Sequence, residues 1–301
     1  MPERVIAFHP AYAKINYTLD VLGRREDGYH RLASVMQTIA LHDTLALRSR
    51  DDHDIALVCD DPALDTPDNL ALRAAHLLRE RAARATLPGV TIELRKRIPA
   101  QAGLGGGSSD AAAALAALDT YWGLHLGLDA LRELGAQVGS DVPFFLPGGT
   151  ALIGGRGEVV EPLPPAEPLW IVLAKPPIGL STATVFRALT PDDHTSGAET
   201  DALVAAIRAG APLPFERLSN ALERSVTTAH PEVAAALDAL RAAGAPVARM
   251  SGSGPAVYAP FRKLAAAAQV HQRVRAAGLA AWLTHTVAEP RAPVDSPGGP
   301  A

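Results

Sequence analysis

The chain has 301 residues, 48% hydrophobic and 20% charged, enough for one large or two ordinary cores and too apolar for global disorder. Its formal net charge of -4 excludes a nucleic-acid binder that works through bulk positive charge, and no run approaches the roughly 20 apolar residues of a membrane span. The single cysteine, Cys59, cannot close an internal disulfide, as expected in a reducing cytoplasm, and the ten histidines show no metal-ligand spacing, so no protein-only metal cage is expected.

In chain order, the apolar run in MPERVIAFHPAYAK is too short and interrupted for a signal peptide. Apolar or alternating stretches predict strands at 13–21, 44–47, 55–59 and 90–94. Between the last two, 69–84 places Leu70, Ala74, Leu77 and Leu78 on one helical face, with Asn69 as N-cap. The alanine-rich 109–122 reads as a buried helix that starts directly after a glycine cluster, and a further helix at 128–138 leads into GSDVPFFLPGG. Strands follow at 150–153 and 159–163, and the proline-dense 162–168 marks a domain boundary. Beyond it the pattern restarts, with a strand at 170–173, several helices, strands at 247–250 and 256–260, a helix at 264–277 and a strand at 281–285. This is the pattern of an α+β sandwich with helices on one face. The division expected is 1–162, 163–290 and a Pro- and Gly-rich disordered tail at 291–301.

The stretch PAQAGLGGGSSDAAAAL, beginning at Pro99, carries the densest chemical signal. Glycines let a backbone approach a ligand closely, and a helix that starts beside them aims unpaired N–H groups and its positive dipole end at an anion. No lysine follows the glycines, so this is not a Walker A loop, and the third glycine of the dinucleotide fingerprint is missing. On composition alone, a phosphate cradle and a flexible turn with an ordinary N-cap both remain open.

That stretch resembles the phosphate loop of the GHMP kinases, the galactokinase, homoserine kinase, mevalonate kinase and phosphomevalonate kinase superfamily. Two further signatures stand in the expected order, AYAKINYTLDVLGRREDGYH near the N-terminus and MSGSGPAVY near the C-terminus. The triple-glycine form GLGGGSS, with AKIN and GRREDGYH, narrows the resemblance to the branch acting on a cytidine-diphosphate-linked methylerythritol in the non-mevalonate route to isoprenoids. Tyr17, where leucine is usual, and Pro255, after the last glycine turn, are mild departures.

The resemblance implies a two-domain α+β architecture: an N-terminal ribosomal-protein-S5-domain-2-like domain, a C-terminal ferredoxin-like α/β sandwich, and an active site in the cleft between them. It implies ATP-dependent phosphorylation of the substrate's 2-hydroxyl, with Asp141 as general base and Lys14 assisting. The ATP site would comprise Lys96, Pro99, Gly103, Leu104, Gly105, Gly106, Gly107, Ser108 and Ser109, with Mg2+ carried by the phosphates near the two serines. Asn16 would bond the polyol, while Tyr29 and His30 would hold the cytosine, with Phe186 as the opposite stacking face. Ser251, Gly252, Ser253 and Gly254 would approach the diphosphate or the transferred phosphate. Arg156 belongs to the pattern without an assigned role.

Taken singly, most of these residues have plainer readings: Asp141 as a turn cap, Lys14 and Lys96 as solvent-facing strand lysines, Phe186 as core. Another kinase of the superfamily, acting on homoserine or mevalonate, would have no use for the GYH segment. A regulator that has lost catalysis would need neither Lys14 nor Asp141. Small-molecule partners only, no nucleic acid or membrane, and a monomer or homodimer are expected.

Overall fold

Two long strands, β1 (Val5–Arg24) and β2 (His30–Ser49), form an antiparallel hairpin that organises the chain. The sequence patterns at 13–21 and 44–47 mark only their most apolar stretches. Bulges between Tyr12 and Ala13 and between Asn16 and Thr18 let each strand bend and continue, so polar and apolar residues alternate irregularly and the ends escape a strict period of two. The computed structural model describes residues 4–82, 87–288 and 294–295.

β3 (Ile55–Cys59) precedes α1 (Leu70–Ala82), whose first turn is capped as expected: the Asn69 side chain accepts from Ala71 N–H at 2.9 Å. The rest of the expected helix, 83–84, lies outside the described residues. β4 (Val90–Arg95) pairs with both β2 and β3 and leads through 96–105 into α2 (Gly106–Tyr121). α2 therefore begins within the glycines rather than after them, and Gly106 and Gly107 form its first turn. α3 (Leu128–Val138) and the single turn α4 (Val142–Phe145) lead to β5 (Thr150–Gly154) and β6 (Val159–Pro162).

After β6 the chain crosses to a second sheet of β7 (Trp170–Lys175), β9 (Arg249–Met250), β10 (Val257–Phe261) and β11 (Ala280–His285), in the order β11-β7-β10-β9. Between β7 and β9 run α5 (Thr182–Arg187), α6 (Ala198–Arg208), the two-residue β8 (Ser219–Asn220), α7 (Glu223–Ala229) and α8 (Pro231–Ala242), and α9 (Leu264–Ala276) connects β10 to β11. β8 pairs in parallel with β1 at Thr18 and Leu19, so the second half returns one strand to the first sheet. Of the expected disordered tail, 291–293 and 296–301 lie outside the described residues. Within that stretch, β12 (Val294–Asp295) adds two antiparallel residues beside Ala7 and Phe8.

The three largest apolar clusters among the described residues fix the arrangement. α1 and α2 pack through Ala71, Ala74, Leu78, Ala111, Ala114, Leu115 and Leu118 over Ile92 and Leu94, the small alanines letting the two helices approach closely. α8 and α9 cover the second sheet through Leu237, Leu240 and Val270. Between the sheets, Ile15 and Tyr17 of β1 meet Ile171, Leu173 and Tyr258 in one buried cluster. This shared core fixes the two halves at the cleft that separates them. The Tyr17 ring is fully buried and its hydroxyl has no partner among the described residues.

Candidate active site

The cleft holds a cavity of about 1160 Å³. One wall is the loop 99–108, including Pro99, Gly103, Gly105, Gly106, Gly107 and Ser108. Gly105 caps α2 in the left-handed conformation, φ +74°, and a Cβ there would come 2.5 Å from the Phe145 ring and 3.3 Å from Lys14 Cγ. Only glycine lets the loop lie this close to Lys14. The first intrahelical bond from this turn is Ser109 N–H to Gly105 O at 2.9 Å, so the amides at 106–108 precede the helical ladder, as an anion site requires.

The opposite edge of this wall is stitched to the second glycine turn. The Ser251 hydroxyl donates to Gly103 O at 3.0 Å, and Ala256 N–H donates to Ala102 O at 3.1 Å. Asn220, which the sequence did not single out, holds the turn from the other side, its amide donating to Met250 O at 2.9 Å and Gly252 O at 2.8 Å. Gly252 and Ser253 line the cleft, whereas Ser251 and Gly254 lie behind it as part of the seam.

Lys14 lies on β1 beneath both glycine segments, 3% exposed, its own N–H donating to Leu104 O at 3.0 Å. Its ammonium donates to Asn16 Oδ1 at 2.7 Å and stands 3.6 Å from Asp141 Oδ2. Asn16 passes the chain of bonds to the Ser34 hydroxyl at 2.8 Å, and Ser34 donates to Thr18 O at 2.5 Å. Burial pulls the Lys14 pKa down, and the Asp141 charge opposes that shift. Asp141 occupies the N-cap position of α4, but its side chain makes no capping bond and is 31% exposed toward the cleft. The carboxylate therefore does not hold this turn; it faces the cleft beside the buried Lys14 ammonium.

The far end of the cleft is aromatic. Arg25 N–H donates to Tyr29 O at 2.7 Å and Asp27 accepts from Tyr29 N–H at 3.1 Å, so the β1–β2 turn presents Tyr29 and His30. Tyr29 is 54% exposed and lines the cavity. The His30 ring lies 5.8 Å from that of Phe186 on α5 and 6.1 Å from that of His194. Burial, with help from His194 and Arg24, lowers the His30 pKa below the ordinary 6.5, favouring a neutral ring with one donor and one acceptor nitrogen. Arg156 on the β5–β6 turn sits over the Tyr29 ring at 5.1 Å and lines the same lobe.

Three expected nucleotide contacts are placed differently. Lys96 borders the cleft, but its ammonium is bound between Asp43 and Asp110 rather than free for adenine or ribose. The Leu104 side chain is buried in the core between the sheets. Ser109 is buried and lines a separate cavity of about 230 Å³ with Ala112, Ala113 and Ala116. Ser109, one 100° step along α2 from Ser108, faces that second cavity, whereas Ser108 and Asp110 line the cleft.

Family profiles for the GHMP kinases N terminal domain and the GHMP kinases C terminal match residues 69–149 and 203–280. The chain is 49% identical over 269 residues to the 4-diphosphocytidyl-2-C-methyl-D-erythritol kinase of Pelotomaculum thermopropionicum, covering 88% of this chain and 92% of that one. It is 46% identical over 251 residues to the enzyme of the same name from Geobacillus kaustophilus, covering 82% and 86%. Its fold matches a crystal structure of 4-(cytidine 5'-diphospho)-2C-methyl-D-erythritol kinase with a TM-score of 0.80 at 34% identity, over 93% of this chain and 98% of that one. A homoserine kinase from Cytophaga hutchinsonii shares the fold, with a TM-score of 0.75 at 20% identity over 96% of each chain. A glycine cradle facing a Lys14–Asp141 pair, and sequence identity of this extent along nearly the whole chain, lead to one assignment: the chain belongs to the 4-diphosphocytidyl-2-C-methyl-D-erythritol kinase family of GHMP kinases.

Proposed function

We propose that this ATP-dependent kinase transfers the γ-phosphoryl group to the 2-hydroxyl of 4-diphosphocytidyl-2-C-methyl-D-erythritol, with Asp141 taking the hydroxyl proton and Lys14 assisting beside it. The observation that carries this reading is the Lys14–Asp141 pair, 3.6 Å apart, lying in one cavity with the glycine cradle and the Tyr29–His30–Phe186 lobe. ATP phosphates bind the amides at 106–108 and the dipole end of α2, donors set before the transition state forms. Cytosine binds among Tyr29, His30 and Phe186, where stacking contributes on the order of 1–3 kcal/mol. Residues 1–162 supply the cradle and the pair, and 163–290 supply Phe186 and the glycine turn that seals the cradle.

Magnesium would arrive on the nucleotide, where Ser108, the serine of the loop that lines the cleft, would meet it. When bound, the ion neutralises phosphate charge. No helix among the described residues is long and apolar enough to cross a membrane.

ADP release measured with the cytidyl substrate beside homoserine, mevalonate and galactose tests the assignment. Turnover with another alcohol and none with the cytidyl compound would overturn it. Asp141→Asn is expected to keep ATP binding and lose about 10²–10⁴-fold in kcat. Near-normal kcat would remove Asp141 as the base.

A further inference from the structure

Arg156 is the one residue of the matched pattern that the reading above leaves without a task, and its surroundings supply one. It sits in the tight turn between β5 and β6, where its N–H donates to Glu158 Oε2 at 2.7 Å. Gly155 O accepts from Leu32 N–H at 2.8 Å, anchoring the turn to the start of β2. The turn touches both ends of the cleft. On one side the guanidinium lies over Tyr29. On the other, a Cβ on Gly157 would come 3.2 Å from Ser140, the residue before Asp141.

The guanidinium thus lies in the cleft wall between the aromatic lobe and the proton-accepting carboxylate. Among the described residues no carboxylate forms an ion pair with it; Asp27, whose pKa is lowered chiefly by its hydrogen bond from Arg25, is paired with Arg25 at 2.9 Å. A partly desolvated arginine with a planar fork of donors suits a phosphate better than any other side chain does. A substrate with its base among Tyr29, His30 and Phe186 and its hydroxyl at Asp141 must carry its diphosphate across the intervening wall.

We infer that Arg156 is a specificity-determining residue that binds the diphosphate of the cytidyl substrate while its stem and guanidinium hold the Tyr29 ring in place. The inference rests on the cytidyl reading of the cleft. It makes the enzyme select a nucleoside diphosphate by its charge as well as by its base. Because the diphosphate is not the reacting group, the contact exists equally in ground and transition states, and its loss acts on KM rather than kcat.

The test uses the full-length enzyme with Arg156→Gln and Arg156→Lys. Arg156→Gln is expected to raise KM for the cytidyl substrate about 10- to 100-fold, the value of a hydrogen bond to a charged group, with kcat and KM for ATP unchanged. The unchanged KM for ATP also serves as the control for folding. Cytidine, CMP and CDP are then compared as competitive inhibitors against the cytidyl substrate at saturating ATP. Wild-type enzyme is expected to bind CDP more tightly than cytidine, Arg156→Gln to lose that preference while keeping its affinity for cytidine, and Arg156→Lys to recover part of it. If Arg156→Gln weakens cytidine and CDP equally, Arg156 acts only through Tyr29 and the diphosphate assignment is wrong. If the variant keeps the wild-type preference for CDP, Arg156 does not bind the diphosphate. Wild-type enzyme that ignores all three inhibitors and the cytidyl substrate would instead overturn the cytidyl reading itself.

Discussion

Gly103→Ala probes the seam on which the whole cleft depends. Gly103 has φ +75°, and a Cβ there would lie 2.1 Å from Ser251 O and 2.9 Å from Gly254 N, both backbone atoms that cannot swing aside. The left-handed conformation costs a residue with a Cβ about 1–2 kcal/mol. Ordinary Cβ contacts begin at 3.4 Å, so the phosphate loop and the second glycine turn would have to part by about an ångström or more. That separation strains the Ser251–Gly103 and Ala256–Ala102 hydrogen bonds, each contributing about 0.5–1.5 kcal/mol. The expected loss of stability is therefore about 2–5 kcal/mol, read by urea denaturation with the m-value monitored. Gly210→Ala is the control. Gly210 has φ +65° with nothing within 4 Å of a built Cβ, so only the conformational cost of about 1–2 kcal/mol applies. Gly103→Ala should also raise KM for ATP, because the cradle amides move with the loop, and Gly210→Ala should not. Equal stability losses in the two variants, or an unchanged KM for ATP in Gly103→Ala, would refute the claim that this contact sets the cradle.

Two further outcomes follow from the buried charges. Lys96→Met leaves Asp43 and Asp110, both nearly inaccessible, without their cation, and is expected to cost about 3–5 kcal/mol at neutral pH. The buried Asp110 carboxyl, already raised, then titrates still further above its unfolded value, so its stabilisation is present at low pH and is lost as pH rises. Burial already pushes the Asp110 carboxyl up to about 7 with Lys96 in place, and loss of the cation raises it further, so the deficit relative to wild type should shrink as pH falls toward about 7; a deficit independent of pH above about 7 would contradict the triad. For Lys14→Met, kcat is expected to fall about 10²–10⁴-fold. Because burial lowers the Lys14 pKa from 10.5, the unfolded chain holds more protons than the folded one in the interval below 10.5, and wild-type stability relative to Lys14→Met should rise with pH there. A flat or falling difference would show that Lys14 is not desolvated.

By itself, the sequence determined what depends on neighbours along the chain. The Asn69 cap of α1, the alanine face of α2 and the glycines that admit positive φ are local matters of propensity and period, and they were legible. So was the family, since AKIN, GRREDGYH and GLGGGSS stand together in one chain. Tertiary structure decided what each side chain faces. Alternation puts Lys14 and Asn16 on one side of a strand, but only the seam from Gly103 to Ser251, residues 148 apart, turns that side into an interior. Lys96 reads as a solvated strand-end lysine until Asp43, 53 residues earlier, and Asp110 meet it. Ser109 shares its motif with Ser108, yet in the folded chain Ser108 lines the cleft and Ser109 a separate cavity. Asn220 and Arg156 gained their places the same way, through a two-residue pairing with β1 and a turn packed on Tyr29. Burial, charge pairing and the direction a side chain points are long-range properties, because the segments that enclose a residue are set by how sheets and helices close over it.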